Sequence, residues 1–311
     1  MLLKRISDFV LQSQHAIGVA FVLAFIPLIG TLSIVIAAFV TLRRGIFEGT
    51  LVLFAATLPV VMEYFLEYFL SPGSDTSVGL SAFDITVLVL VSNVLTWIFA
   101  VCLRKYSSWS LLLQVAAICC VLSVALIHFV VPDIQSWWSD KLTAYFTKAM
   151  QTLNESGGDY DPSSMLPIKS LIDGIKPFVT GVVVILIVFN ALLQVFLARW
   201  WQAAVFNPGG LRQEMYDIRM GYVLGAIFVI GLFWGLWGNS WLSDMMPIMY
   251  VVFALAGLSL IHSLLARRGT GMFWLVMIYG GMILFPYVIV LIAMVGLIDT
   301  WLDFRKRIKK I

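Results

Sequence analysis

Few residues in this 311-residue chain could do chemistry, and most of them sit inside apolar runs. Glu63 and Glu67 lie four apart in Glu63-Tyr-Phe-Leu-Glu67. That spacing puts both carboxylates on one helix face, where they repel unless a cation, a proton or a basic substrate group lies between them. The plainer alternative is a pair of interfacial carboxylates reaching water beside Tyr64 and Tyr68. Asn93, Asn190 and Gln194 interrupt other runs, and Asn190 and Gln194 share a face. Amides there either point at a ligand or hydrogen-bond a neighbouring helix. These five residues form the candidate ligand-binding set.

No catalytic motif accompanies them. The chain has no phosphate-binding GxxxxGK[ST], no HExxH, no GxSxG and no CxxC pair. His15, His128 and His262 fall in separate segments and read as packed or interfacial groups. Cys102, Cys119 and Cys120 lie in apolar runs and read as buried and structural. The expectation is a non-enzymatic protein with no catalytic residue, no metal site and no cofactor.

The composition says what must position these groups. Hydrophobic residues make up 61% of the chain and charged residues 12%, against about 25% charged in a typical soluble domain. So little polar surface could not cover a soluble fold of this size. A soluble enzyme, a nucleic-acid binder and a disordered hub are excluded. What remains is an all-α polytopic helical membrane protein, in a lipid bilayer, with about 8–10 transmembrane segments.

Apolar runs fall near 16–42, 46–70, 85–103, 109–131, 177–198, 220–238, 247–266 and 270–298. The first and last are overlong, and each contains a proline, Pro27 and Pro286. Sixteen of the twenty Lys and Arg residues collect at Lys4/Arg5, Arg43/Arg44, Arg104/Lys105, Arg199/Arg212/Arg219, Arg267/Arg268 and Arg305 to Lys310. The positive-inside rule wants them all on one face. That requires each overlong run to break at its proline into two short helices, with both termini cytoplasmic. The alternative is eight plain spans with both termini outside. The N-terminal MLLKRISDF could imitate a signal peptide, but apolar spans continue without a cleavage site, so the first span reads as retained.

The chain divides into three regions: a membrane bundle over 1–131, an external amphipathic loop over 132–176, and a second bundle over 177–311 with a basic cytoplasmic tail. In the loop, Ile134, Trp138, Leu142, Tyr145, Ala149 and Leu153 recur every three or four residues, which predicts a surface-lying or lid-like helix. A shorter helix is expected near 163–174. Asn207-Pro-Gly-Gly210 predicts a tight turn, after which Arg212, Glu214, Asp217 and Arg219 open the next helix. Glu48 should pair with Arg43/Arg44. Ala16, Ala20 and Ala24 stripe the first helix, and Gly221 to Gly238 the seventh; such faces pack internally or dock a separate membrane protein. The basic tail is expected to contact anionic lipid.

Four segments together resemble the YybS-like family of bacterial integral membrane proteins. They are Pro27/Gly30 followed by Arg44-Gly-Ile-Phe-Glu-Gly49, the external loop before Ala198-Arg-Trp-Trp201, Phe206-Asn-Pro-Gly-Gly-Leu-Arg212, and Gly296-Leu-Ile-Asp299 with Asp303-Phe-Arg305. The resemblance implies a bacterial cytoplasmic membrane and carries over no activity. The first six segments are more distantly similar to the S component of energy-coupling-factor transporters. That likeness implies that Ala16, Ala20 and Ala24 dock a coupling subunit. The expected function is a small-molecule transporter or substrate-binding membrane component, and the alternative is an assembly partner in an envelope complex.

Overall fold

The computed structural model describes residues 2–26, 29–70, 82–155, 165–235, 240–268 and 271–307. Pro27, the loop containing Asp75, the 156–164 stretch, Gly238 and the tail beyond Arg307 lie outside them, as does the side chain of Glu67. The regular elements among the described residues are all helices, with no strand. Five helical stretches are long and apolar enough to cross a membrane. Three are in α4 (Ile46–Leu70), α5 (Ala82–Tyr106) and α6 (Trp109–Val130). The fourth ends in α9 (Val179–Phe206) and the fifth is in α12 (Ser240–Arg268). Their outer faces expose side chains such as Phe54 and Leu122, which suits hydrocarbon rather than water. The protein is therefore a polytopic helical membrane protein.

Both overlong runs divide into two helices, as their prolines predict. The first gives α2 (Ser13–Ala24) and α3 (Thr31–Arg43); the last gives α13 (Gly271–Leu284) and α14 (Tyr287–Leu302), with Pro286 as the N-cap of α14. Proline has no N–H to donate into a helix and favours the start of one. At 1.5 Å per residue, α2 and α3 are each roughly 18–20 Å long, short of the ~30 Å hydrocarbon layer. They pack on each other and on α4 as a short hairpin.

This arrangement gathers the cations at one end of the bundle. Arg104 Nη1 donates to the Thr41 and Leu42 carbonyls (3.0 and 2.8 Å), which caps the end of α3. The Arg43 guanidinium lies 3.8 Å over the Phe206 ring at the end of α9. Arg44 pairs with Glu48 (3.6 Å). An amphipathic helix, α1 (Leu2–Val10), joins this end through Ser7, whose hydroxyl accepts from Trp201 Nε1 (2.8 Å). The sequence reading missed α1, although Leu3, Ile6, Ser7 and Val10 already carry its spacing. Arg267 Nη1 donates to the Arg305 carbonyl (2.8 Å) of α15 (Phe304–Arg307).

The far end carries α7 (Ile134–Glu155) and α8 (Met165–Ile175), in the region where the amphipathic loop is predicted. Trp138 Nε1 donates to Thr180 Oγ1 (3.0 Å) and seats α7 on the start of α9. The 207–210 turn forms as read, with Gly209 at φ +88°. The segment after the turn differs from the expected single helix. Arg212 and Glu214 lie in a separate seven-residue helix, α10 (Gly210–Tyr216). A non-helical link then leads to α11 (Tyr222–Gly235), because backbone and side-chain groups of that link are bonded elsewhere. Helix α9 packs on α3 and α5 as well as on α12.

The interface between α12 and α14 rests on two glycines. A Cβ on Gly257 would overlap the Ile292 carbonyl, and one on Gly296 the Phe253 carbonyl. The two backbones therefore meet directly, as small residues allow inside membranes. Gly257→Ala should destabilise the fold by about 1–3 kcal/mol through overpacking. Gly280→Ala, on α13 with open space around its Cβ, should be neutral or slightly stabilising. Unfolding midpoints in mixed detergent–SDS micelles measure both, and equal effects would reject the close-approach account.

Candidate functional site

The short α2–α3 hairpin leaves space beyond its tip. A cavity of about 500 Å³ lies there, walled by α4, α5 and α9 as well as the hairpin. Ala24, Gly30, Thr31 and Ser33 of the hairpin line it, and Asn93, Asn190 and Gln194 line it from α5 and α9. The last three come from segments about one hundred residues apart, and the structure brings all of them to one wall. Asn93 and Asn190 lie in the first halves of α5 and α9, the halves away from the basic end, and Gln194 lies just past the middle of α9.

The hydrogen bonding of this wall is incomplete. Asn190 Nδ2 donates to Ser92 Oγ (2.9 Å). The Thr96 hydroxyl lies 2.5 Å from Gln194 Oε1 and 2.8 Å from the Ser92 carbonyl. Ser33 Oγ donates to the Gly30 carbonyl (2.6 Å). Asn93, only 7% exposed, has no side-chain hydrogen bond among the described residues, and neither does the NH2 of Gln194. Neither is among the described polar atoms sealed from solvent without a partner, so both amides reach the cavity. Such groups are held for water or a ligand. Every described lining residue is uncharged.

The other candidates fall elsewhere. Glu63 is exposed on α4, three residues past the lining residue Val60, and does not line the cavity. The i, i+4 spacing gave Glu63 and Glu67 a shared face but not the direction in which that face points. Ala16 and Ala20 are wholly buried against this chain's own helices, so they offer no docking face; Ala24 borders the cavity instead. Of the cysteines only Cys120 is buried; Cys102 is half-buried and Cys119 exposed.

Two ionic clusters, one at each end, hold the walls in place. At the basic end, Arg199 forms a two-pronged pair with Glu214, whose Oε2 also accepts from Trp109 Nε1 (3.0 Å). This fixes α10 against α6 and α9. Arg219 pairs with Asp303. Arg305 was expected on the lipid surface but is 8% exposed. It donates to the carbonyls of Tyr216 and Ile218 and to Ser259 Oγ, and lies 3.5 Å from Asp299. Burial pulls its guanidinium pKa below the ordinary value, and Asp299 acts in the opposite sense. Asp299 also accepts from the Phe304 N–H (3.0 Å), closing the left-handed turn at Asp303. Arg305 is folded in because the Tyr216 and Ile218 carbonyls have no helical partners and need donors, while Lys306 and Arg307 stay exposed.

At the far end Asp244 is fully buried. One oxygen lies 2.7 Å from His128 Nε2; the other accepts from the Gly181 N–H (3.0 Å) in the first turn of α9. A carboxylate suits a helix N-terminus, where free N–H groups converge. Asp244 thereby joins the end of α6 to the starts of α9 and α12. Sequence reading passed over it, although a lone acid entering an apolar run was the available signal. His262 bonds to Tyr279 (2.9 Å) and His15 stacks on Phe9, so the three histidines stay apart.

Removing one partner of a buried pair leaves the other charge stranded, so Asp299→Ala should cost about 3–5 kcal/mol. Lys306→Ala, which removes an exposed partner of Asp303, should cost less than about 1 kcal/mol. The same micellar unfolding assay compares them, and a mild Asp299→Ala would remove the tail's structural role. Comparisons with protein families, with characterised proteins and with solved structures find no match for this chain.

Proposed function

We propose that this protein is a membrane-embedded binding or transport component for a small, uncharged solute that enters from the end opposite the basic clusters. The observation that carries this reading is the 500 Å³ cavity with the unpartnered amide of Asn93 on its wall. Its volume falls within the ~300–1,000 Å³ range of small-molecule sites. An uncharged lining gives an ion no counter-charge, so the ligand is neutral, with donors and acceptors complementary to carboxamides and an apolar remainder facing Ile34, Leu88 and Ile187. Broken helices bordering a cavity are a recurrent feature of membrane transport sites.

The basic end is the cytoplasmic one by the positive-inside rule, in a bacterial cytoplasmic membrane as the YybS-like resemblance implies. The cavity then faces the exterior, on the side of α7. The assembly-partner reading needs small-residue faces open to another protein. Ala16, Ala20, Gly257 and Gly296 are used inside the chain, so binding is the better supported of the two.

The test is thermal stabilisation of the purified protein by a library of uncharged metabolites. A hit should lose about 0.5–1.5 kcal/mol of binding with Asn93→Ala, a roughly 2- to 10-fold weaker Kd. Unchanged binding in Asn93→Ala and Gln194→Ala together would reject the site. Topology is checked separately, with Cys102, Cys119 and Cys120 replaced by Ala. Cysteines placed singly at Arg44 and at Arg307 should react with an impermeant maleimide from the same compartment, and labelling from opposite compartments would overturn the orientation.

A further inference from the structure

The opposite face of α9 borders a second and larger cavity of about 670 Å³, walled also by α6, α10, α12 and α13. Along α9 its lining runs from Phe189 through Phe196 and Trp200 to Ala204. Fifteen helical steps at 1.5 Å each make this roughly 22 Å long. One extremity lies at mid-helix and the other at the basic end. The walls are aromatic and aliphatic, and Phe189 and Trp200 are substantially exposed, so the crevice opens sideways toward lipid. The His262–Tyr279 hydrogen bond ties α13 to α12 and keeps the outer wall in place.

Arg212 stands at the mouth. It is exposed, its Nε donates to Tyr216 Oη (2.5 Å), and its guanidinium lies 5.6 Å from that ring. Arg199 and Arg219 nearby are each paired with a carboxylate. Arg212 has no acidic partner among the described residues. An apolar slot longer than the ~15 Å depth of one leaflet, with an uncompensated guanidinium at its headgroup end, has the complement of one amphiphile.

We propose that this crevice binds an anionic phospholipid from the leaflet at the basic end, its acyl chain along α9 and its phosphate on Arg212. Guanidinium and phosphate form charge-assisted hydrogen bonds, and the chain replaces lipid-exposed voids between α9 and α13. The inference is independent of the solute cavity, which lies across α9.

The experiment uses the purified protein in dodecyl maltoside micelles, titrated with phosphatidylglycerol or phosphatidylcholine carrying brominated chains, which quench nearby tryptophans. Phosphatidylglycerol should quench at roughly fivefold lower mole fraction, the worth of about one basic residue beside an anionic lipid. Both Trp109 and Trp200 line the crevice, so the saturable component should shrink in Trp200→Phe, which assigns it to the crevice. Arg212→Gln should bring the two lipids to the same curve, while Arg212→Lys should retain most of the preference. Leu258→Phe, which narrows the slot without adding a tryptophan, should weaken both lipids. Equal quenching by the two lipids in the unaltered protein would overturn the proposal. So would a preference for phosphatidylglycerol that survives Arg212→Gln, or a saturable component undiminished in Trp200→Phe.

Discussion

Helix α9 has to satisfy opposite demands on its two faces, and the rest of the bundle is arranged around that. One face carries Asn190 and Gln194, amides that cost free energy in hydrocarbon unless bonded or wetted. The other carries Phe189, Phe196 and Trp200, which favour lipid-like surroundings. The polar face is therefore enclosed by α3, α4 and α5. The apolar face is left partly open, toward α13. Neither cavity survives a rotation of α9 about its own axis, so its rotational setting is the quantity the fold must fix.

That setting is fixed at both ends by polar groups that α9 does not supply alone. At its start, the Gly181 N–H is bonded by Asp244, which also holds His128. Glycine is needed there, since a Cβ would overlap the Asp244 carbonyl. At its end, Arg199 is clamped by Glu214, and Trp201 bonds Ser7 while stacking on Phe39 (4.7 Å). Between these anchors the polar cross-link is the Ser92–Asn190 and Thr96–Gln194 pair to α5. Interhelical bonds of this kind are individually modest, about 0.6 kcal/mol on average. Their value here is directional: each is satisfied at one rotation only.

Whether a feature was legible in the sequence depends on the kind of information it needs. The proline breaks, the gathering of cations at one end, the amphipathic α7 and the Asn-Pro-Gly-Gly turn are local or compositional, and they could be read from the chain. The amides were legible as unusual residues in apolar runs. Which way a residue faces was not, and that separates Asn93 from Glu63. Small residues announce a close approach without naming the neighbour; Ala16 and Ala20 could not be assigned to an internal or external partner from spacing alone. Arg305 is the clearest case. A basic run after an apolar helix reads as a lipid contact, but its partners are carbonyls 87 and 89 residues upstream. Those carbonyls are free only because the chain departs from helix between α10 and α11.

The two proline-broken runs have the same geometric consequence by different routes. A helix of 12–16 residues cannot fill the height that a helix of 25 or more occupies beside it. In the first run both halves turn back together, so the missing length appears as a void beyond their tip, among polar side chains of longer neighbours. In the last run α14 stays in the bundle through Gly296, while α13 lies chiefly against α12 and α14. The missing packing then appears as a lateral slot beside α9. Short helices are costly to place in a bilayer, and two of them at opposite edges of one bundle leave room for two ligands of opposite character. The solute site is lined by amides where α5 and α9 face the hairpin tip. The lipid site is lined by aromatics because one of its walls is the membrane itself.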